Sequence, residues 1–358
     1  MKSLHLLANP SSMLSITVRS LRELGFEAHG LIYSRTVNYT QSNDSEGCEV
    51  IYEASKNQKK DRLKRKVQAA VRAASLVRQF DVVHWYNALA AEGPLDLWLA
   101  RRIGKKGVVE FVGNEIRDCT VASLDNPYYK AAWVSGLYEY SEETPEHSEK
   151  VQRSFLKYGV RSVFAHETLK PFLLADEWKV QLPCRWRLDV DRFVPKFSEK
   201  TSEPLIVHMT TAPHCKGTFQ VEAILDSLRG KVNFRYERIE GKTREQALNL
   251  LREADIYLDQ FVLAEGLGVA ALEAMALGKP VVSYVKPSLE YCWPPHVVNF
   301  VNAPFEQLAE KVQWLIEDHE SRRRLGMASR DYVERFHDGK IVAKLIAEGY
   351  EQVLPMSR

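Results

Sequence analysis

The chain opens with an apolar run, Leu4–Ala8, cut off by Asn9-Pro10. It then shows apolar positions at helical spacing over Ser15–Leu24, closed by Gly25. A second apolar run follows at Ala28–Tyr33. The spacing of Leu63, Val67, Ala70, Val71, Ala74 and Val77 predicts a long amphipathic helix. Beyond it come a strand at Asp81–Trp85, a helix near Leu95–Ile103 and a strand at Gly107–Val112. Glu139–Glu149 reads as an acidic, Pro-containing loop, Val151–Gly159 as a helix and Ser162–Ala165 as a strand. Continuous apolar strands alternating with helices are the pattern of a parallel sheet covered on both faces.

The alternation breaks around Pro183–Pro195, and Lys196–Pro204 is polar, as linkers are. It restarts with a strand at Leu205–Met209 and a helix at Phe219–Leu228. Strand Val232–Arg238, helix Arg244–Glu253, strand Asp255–Asp259, helix Val269–Leu277 and strand Val281–Tyr284 follow. The end is helical, over Glu306–Asp318, Glu320–Phe336 and Gly339–Leu354. The expected fold class is α/β, with two doubly wound, Rossmann-like domains and a cleft between them. The boundaries read as 1–195 and 196–338, with the terminal helix, 339–358, packing back on the first domain.

A length of 358 residues suits two domains, and 45% hydrophobic with 27% charged residues is an ordinary globular mix. No segment is apolar for long enough to span a bilayer, and the first ten residues are too short for a signal peptide. The five scattered cysteines contain no CxxC pair, so no zinc site or disulfide framework is readable and a cytoplasmic setting is expected. A net charge of +2 excludes a strongly basic nucleic-acid binder. It also hides an asymmetry. Lys56–Arg78 holds nine basic residues against Asp61 alone, a local +8 that leaves −6 for the remainder. This segment is either a solvated helix face or a patch for an anionic membrane surface or a phosphate-bearing acceptor.

The densest chemistry lies in Asp259–Pro280, a strand end, a glycine-containing loop, an Ala/Leu-rich helix, Gly278 and Pro280. Ligands of such sheets bind beyond the carboxyl ends of the strands. Amides at Gly268 and Val269, at the positive end of a helix, suit a phosphate. Glu265 precedes that helix and Glu273 lies just over one turn inside it, so the two could reach different parts of one hydroxyl-rich ligand. Two glutamates eight apart are by themselves a weak signal; a close-packed turn with a capping glutamate is the plain alternative.

The whole string, including Glu-Ala-Met-Ala-x-Gly-Lys-Pro-Val-Val, resembles the donor-site motif of the retaining GT-B glycosyltransferases of family 4. Glu265 and Glu273 match its two glutamates and Gly268 its glycine. Lys216-Gly217-Thr218 resembles the family's Lys-Gly element, and Asp255–Gln260 its strand before the motif. Asp81–Asn87, Phe111–Arg117 and Leu188–Pro195 resemble elements of the acceptor-side half. The chain departs from the pattern at Thr211, where an arginine is usual, and at Asn9-Pro10-Ser11-Ser12, which lacks the usual paired glycines.

The resemblance implies an enzyme that moves a sugar from a nucleotide-diphosphate sugar to a glycan or lipid-linked acceptor, with retention and without metal or cofactor. It implies Glu265, Lys216 and His84 as catalytic groups. Glu273, Gly268, Val269, Gly266, Leu267, Gly217, Thr218 and His214 would bind donor, His214 standing in for the missing arginine. Asn9, Ser11, Ser12, Gly113, Asn114, Glu115 and Arg117 would line the acceptor side. Two other readings stay open: a sugar-nucleotide epimerase of the same fold, and a non-catalytic, glycosyltransferase-like binding subunit.

Overall fold

Strand residues Val82–Tyr86 are buried at every position, which only a sheet covered on both faces can provide. The computed structural model describes residues 1–35, 45–53, 62–86, 95–294, 296–297 and 299–354. In chain order its first half comprises β1 (Lys2–Leu7), α1 (Met13–Glu23), β2 (Glu27–Arg35), β3 (Glu49–Glu53), α2 (Arg62–Val77), β4 (Val82–Tyr86) and α3 (Leu95–Arg102). β5 (Lys106–Phe111), α4 (Cys119–Ala122), α5 (Pro127–Val134), α6 (Pro145–Lys157), β6 (Ser162–Ala165) and β7 (Val180–Pro183) complete it.

The second half adds β8 (Leu205–Met209), α7 (Pro213–Lys216), α8 (Thr218–Leu228), β9 (Arg235–Ile239), α9 (Arg244–Glu253) and β10 (Ile256–Leu258). It continues through α10 (Val269–Ala276), β11 (Val281–Ser283), β12 (Val301–Asn302), α11 (Phe305–Glu317), α12 (His319–Phe336) and α13 (Gly339–Val353). Among the described residues all strand pairs are parallel. One sheet has the order β3-β2-β1-β4-β5-β6-β7, the other β12-β11-β10-β8-β9.

Two compact units result. One consists of Met1–Asp118, Glu142–Arg187 and Gly339–Arg358, the other of Cys119–Ser141 and Leu188–Asp338. The division differs from one at 195 in two ways. The segment 188–195 belongs to the second unit, and so does Cys119–Ser141, an excursion from the chain's first half. Edge strands β3 and β7 escape the hydrophobic pattern because an edge needs no continuous apolar run; β7 buries only Leu182 of its four residues. Helix α6 begins at Pro145, well before Val151, because Thr144 caps it by accepting from His147 N at 3.2 Å and proline suits the first turn.

Helix α13 lies in the core of the first unit through Val342, Ala343, Ile346, Ala347 and Tyr350. A methyl at Gly349 would sit 2.7 Å from the Phe164 ring, so the glycine permits that approach. The polar groups beneath α13 form one network. Arg187 holds Glu110 with two bonds, 2.7 and 2.8 Å long, and both side chains are inaccessible to solvent. The Cys184 thiol donates to Glu110 at 2.8 Å, and Tyr350 Oη lies 2.6 Å from His84 Nδ1. Burial alone would raise the Glu110 carboxyl, but Arg187 and His84 outweigh it and hold the group at about 2.

A folded-state value below the ordinary 4.5 stabilises the fold above that pH, and the gain is lost as pH falls from about 4.5 towards 2. Acid titration of wild type should therefore show stability declining across that window. Glu110→Gln strands the Arg187 charge and should cost about 3–5 kcal/mol in urea unfolding at pH 7.

Candidate functional site

In the second unit, β8 and β10 lie side by side, so the loops after them meet at the carboxyl edge of the sheet. Asp259 follows β10 and is wholly buried. Its Oδ1 accepts from Lys216 Nζ at 2.7 Å and its Oδ2 from Gly268 N at 2.7 Å. One carboxylate thus ties the lysine after β8 to the first residue of the α10 cap. The Gly268 amide, expected to be open to a phosphate, is committed to Asp259. Helix geometry leaves the amides of Val269, Ala270 and Ala271 without intrahelical carbonyls.

The loop between Asp259 and α10 is held from inside. Gln260 Nε2 and Ser283 Oγ both donate to the Gly266 carbonyl, at 3.0 and 2.7 Å. Gly266 has φ +93°, and a Cβ there would lie 2.6 Å from the Trp293 ring, so both conformation and space require glycine. Leu267 is buried in the core. Glu265 is nearly buried, and its carbonyl accepts from Trp293 Nε1 at 3.1 Å. Glu273, on the first turns of α10, accepts from two Arg244 nitrogens at 2.7 and 2.6 Å, so both its oxygens are engaged.

Gly217, at φ +78°, joins α7 to α8. Thr218 is fully buried with Oγ1 2.8 Å from His208 Nε2, and burial lowers that histidine to about 4. The Thr218 hydroxyl is therefore occupied by the core and is not a donor-binding group. The His214 ring packs on Phe219, at 4.8 Å between centroids.

The residues expected on the acceptor side lie in the first unit and divide differently. His84 corrects the expectation most clearly: it has no exposed surface, burial lowers its pKa, and Tyr350 of α13 covers it. It is a core histidine, because its position on β4 faces the side that α13 packs against. Ser12 is also fully buried, with a left-handed φ of 63°, and its carbonyl accepts from Ser15 Oγ at 3.0 Å. Asn9 accepts from Ser15 N at 3.1 Å and so ties the loop to α1, with Ser11 half-buried between them.

Glu115 accepts from Val112 N at 2.5 Å, and burial pushes its carboxyl up. Arg117 makes a 2.6 Å ion pair with Glu143 while only 6% exposed. Both residues, together with buried Gly113, shape the loop. Asn114, half-buried, bonds Glu142 at 3.0 Å.

Residues 227–332 match the family model described as Glycosyl transferases group 1. No curated protein matches the sequence. Among solved structures, Anabaena Alr3699/HepE in complex with UDP superposes with a TM-score of 0.61 at 13% identity, covering 98% of this chain and 100% of that one. A glycosyltransferase from Rickettsia africae ESF-5 gives 0.60 at 14%, with 99% of each chain covered. WaaG, a glycosyltransferase involved in lipopolysaccharide biosynthesis, gives 0.54 at 14%, covering 97% and 99%. HepE has also been crystallised with UDP and glucose and with UDP-glucose.

The chain has the GT-B fold of these glycosyltransferases, and residues 227–332 carry the glycosyl transferases group 1 pattern.

Two groups of this site have no role in the sequence pattern, Asp259 and Arg244. Asp259 carried a signal: a carboxylate ending an otherwise apolar strand must find partners. Arg244 carried none, since a basic first-turn residue is ordinary until its partner 29 positions away is known. Among the described residues no group of three or more His, Cys, Asp or Glu could hold a metal ion. Asp259→Ala leaves the Gly268 amide and Lys216 unsatisfied. It should lower unfolding stability by about 1–3 kcal/mol, measured in urea at pH 7.

Proposed function

We propose that the enzyme transfers a sugar from a nucleotide-diphosphate sugar to a glycan or lipid-linked acceptor with retention of anomeric configuration. The observation that carries this reading is the assembly of Lys216, the α10 amino end, Glu265 and Glu273 at one sheet edge of the second unit. Support also comes from the UDP and UDP-glucose bound by HepE, a protein of the same fold. Lys216 and the first-turn amides of α10 stabilise the charge that develops on the departing diphosphate. An ionised carboxylate only accepts hydrogen bonds, so Glu273 takes the ribose hydroxyls and Glu265 those of the sugar. Glu273 must share its oxygens with Arg244 to do so, which fixes the carboxylate's plane.

The bond from the anomeric carbon to the diphosphate oxygen breaks while a bond to the acceptor hydroxyl oxygen forms on the same face. The acceptor's proton passes to the leaving phosphate oxygen, so no side-chain base is needed, in keeping with the buried position of His84. Charge neutralisation rests on protein groups without a metal ion.

The acceptor's setting is the surface of an anionic membrane, docked through the basic segment Lys56–Arg78. Lys56–Asp61 lie outside the described residues. The described part of α2 leaves Val67 and Val71 more than half exposed, and Trp98 on neighbouring α3 is 48% exposed. Exposed apolar side chains on a helix whose sequence is rich in cations suit an interfacial role. Among the described residues no helix is long and apolar enough to cross a membrane.

Release of nucleoside diphosphate from a panel of UDP-, GDP-, ADP- and TDP-sugars, supplied with extract-derived acceptors, tests the activity. One donor should be turned over, turnover should persist in EDTA, and Glu273→Ala should lower it by about 10²-fold or more. No turnover of any donor by wild type refutes the reading. Sedimentation with anionic liposomes should weaken steeply with salt and on changing Lys59, Lys60, Lys64 and Arg65 to Gln. Binding indifferent to both removes the membrane role.

A further inference from the structure

After Asp118 the chain contributes α4 and α5 to the second unit before returning at Glu142. The two ends of this excursion seat the two loops that carry Lys216 and Glu265. At one end Asn126 Nδ2 donates to the carbonyls of Val262 and Leu263, at 2.9 and 3.3 Å. Its Oδ1 accepts from Tyr129 N at 3.1 Å, so one side chain both caps α5 and holds the backbone leading to Glu265. Ala264, between them, is held at φ +54°, a conformation that needs such support. Lys286 Nζ reinforces this end by donating to the Leu124 carbonyl at 2.9 Å.

At the other end Glu139 accepts from the amides of His214 and Cys215, at 2.7 and 2.8 Å. Tyr138 Oη lies 3.5 Å from Cys215 Sγ. These amides open α7, the four-residue helix that ends in Lys216. A helix so short cannot hold itself, and a carboxylate on its first amides supplies charge-assisted bonds at its positive end. The ends are joined through the rings of Tyr129 and Tyr138, 4.8 Å apart. One packed segment therefore sets the places of both donor-site loops.

We propose that Glu139 is a positioning residue for Lys216, and that Cys119–Ser141 is a brace setting the separation of Lys216 from Glu265. The proposal rests on the donor-site reading above. Its physical content is that the lysine's side chain is aimed by Asp259 while its backbone is placed by Glu139. The rival role for the same carboxylate is a place-holder, occupying amides that a diphosphate would otherwise take. The two roles have opposite consequences when the carboxylate is removed.

The test uses full-length Glu139→Ala and Glu139→Gln. Hydrogen exchange is followed over residues 213–217, and calorimetric titration is run with UDP, GDP, ADP and TDP. The Ala variant should exchange faster over 213–217 and bind the preferred nucleotide about tenfold more weakly. Gln keeps one acceptor oxygen and should fall between Ala and wild type. The exposed position of Glu139 should leave the unliganded melting temperature near that of wild type. Unchanged exchange overturns the brace, and faster exchange with equal or tighter nucleotide binding overturns the positioning role in favour of the place-holder. Wild type that binds none of the four overturns the donor-site reading and this proposal with it. A variant indifferent beside a binding wild type overturns the proposal alone.

Discussion

A buried carboxylate must be paired, and the second unit is organised around how Asp259 meets that demand. With no surface exposed to solvent, its two oxygens take Lys216 Nζ and the Gly268 amide, each at 2.7 Å. Those partners belong to separate loops, one after β8 and one leading into α10. Satisfying Asp259 therefore draws both loops to the same point at the sheet edge. The lysine and the helix's amino end arrive beside each other because the acid between them would otherwise be left unpaired. Removing that acid would free the lysine's charge but lose its direction.

The first unit solves the same problem with a different result. Glu110 is paired by Arg187, Cys184 adds a thiol hydrogen bond, and His84 and Tyr350 close the space beneath α13. All five of these side chains are buried. A histidine on a strand of a nucleotide-type fold invites a catalytic reading, yet here it fills a core and contacts the chain's final helix. The two networks together show why buried charge alone does not mark a site: the decisive difference is whether a partner lies at the solvent edge. Lys216 keeps 18% of its side chain exposed, whereas Arg187 keeps none.

The legibility of each element followed from where its stabilisation comes from. β8 and α9 were read to the residue because an apolar run and a first-turn cap are local signals. β7 and β3 were invisible because edge strands carry mixed residues. The excursion was invisible for another reason. Asn126 caps α5 locally, but its amide's bond to Val262 crosses 136 positions and has no local trace. Gly266 and Glu265 were legible as a motif, while the Trp293 ring that makes Gly266 necessary was not.

The sequence by itself determined the α/β class and the pair of doubly wound units, written in periodicity and turn residues, while the string Asp259–Pro280 carried the resemblance to a donor-site motif. Only the tertiary structure decided what each buried polar group would face. It placed His84 against Tyr350, 266 positions away, and so took it out of the chemistry. It spent the Gly268 amide on Asp259, gave Glu273 to Arg244, and carried Cys119–Ser141 across to support the lysine's loop. Periodicity states which face of an element is buried. The identity of the partner on the far side depends on long-range packing, and there the demand that every buried charge be paired makes the choice.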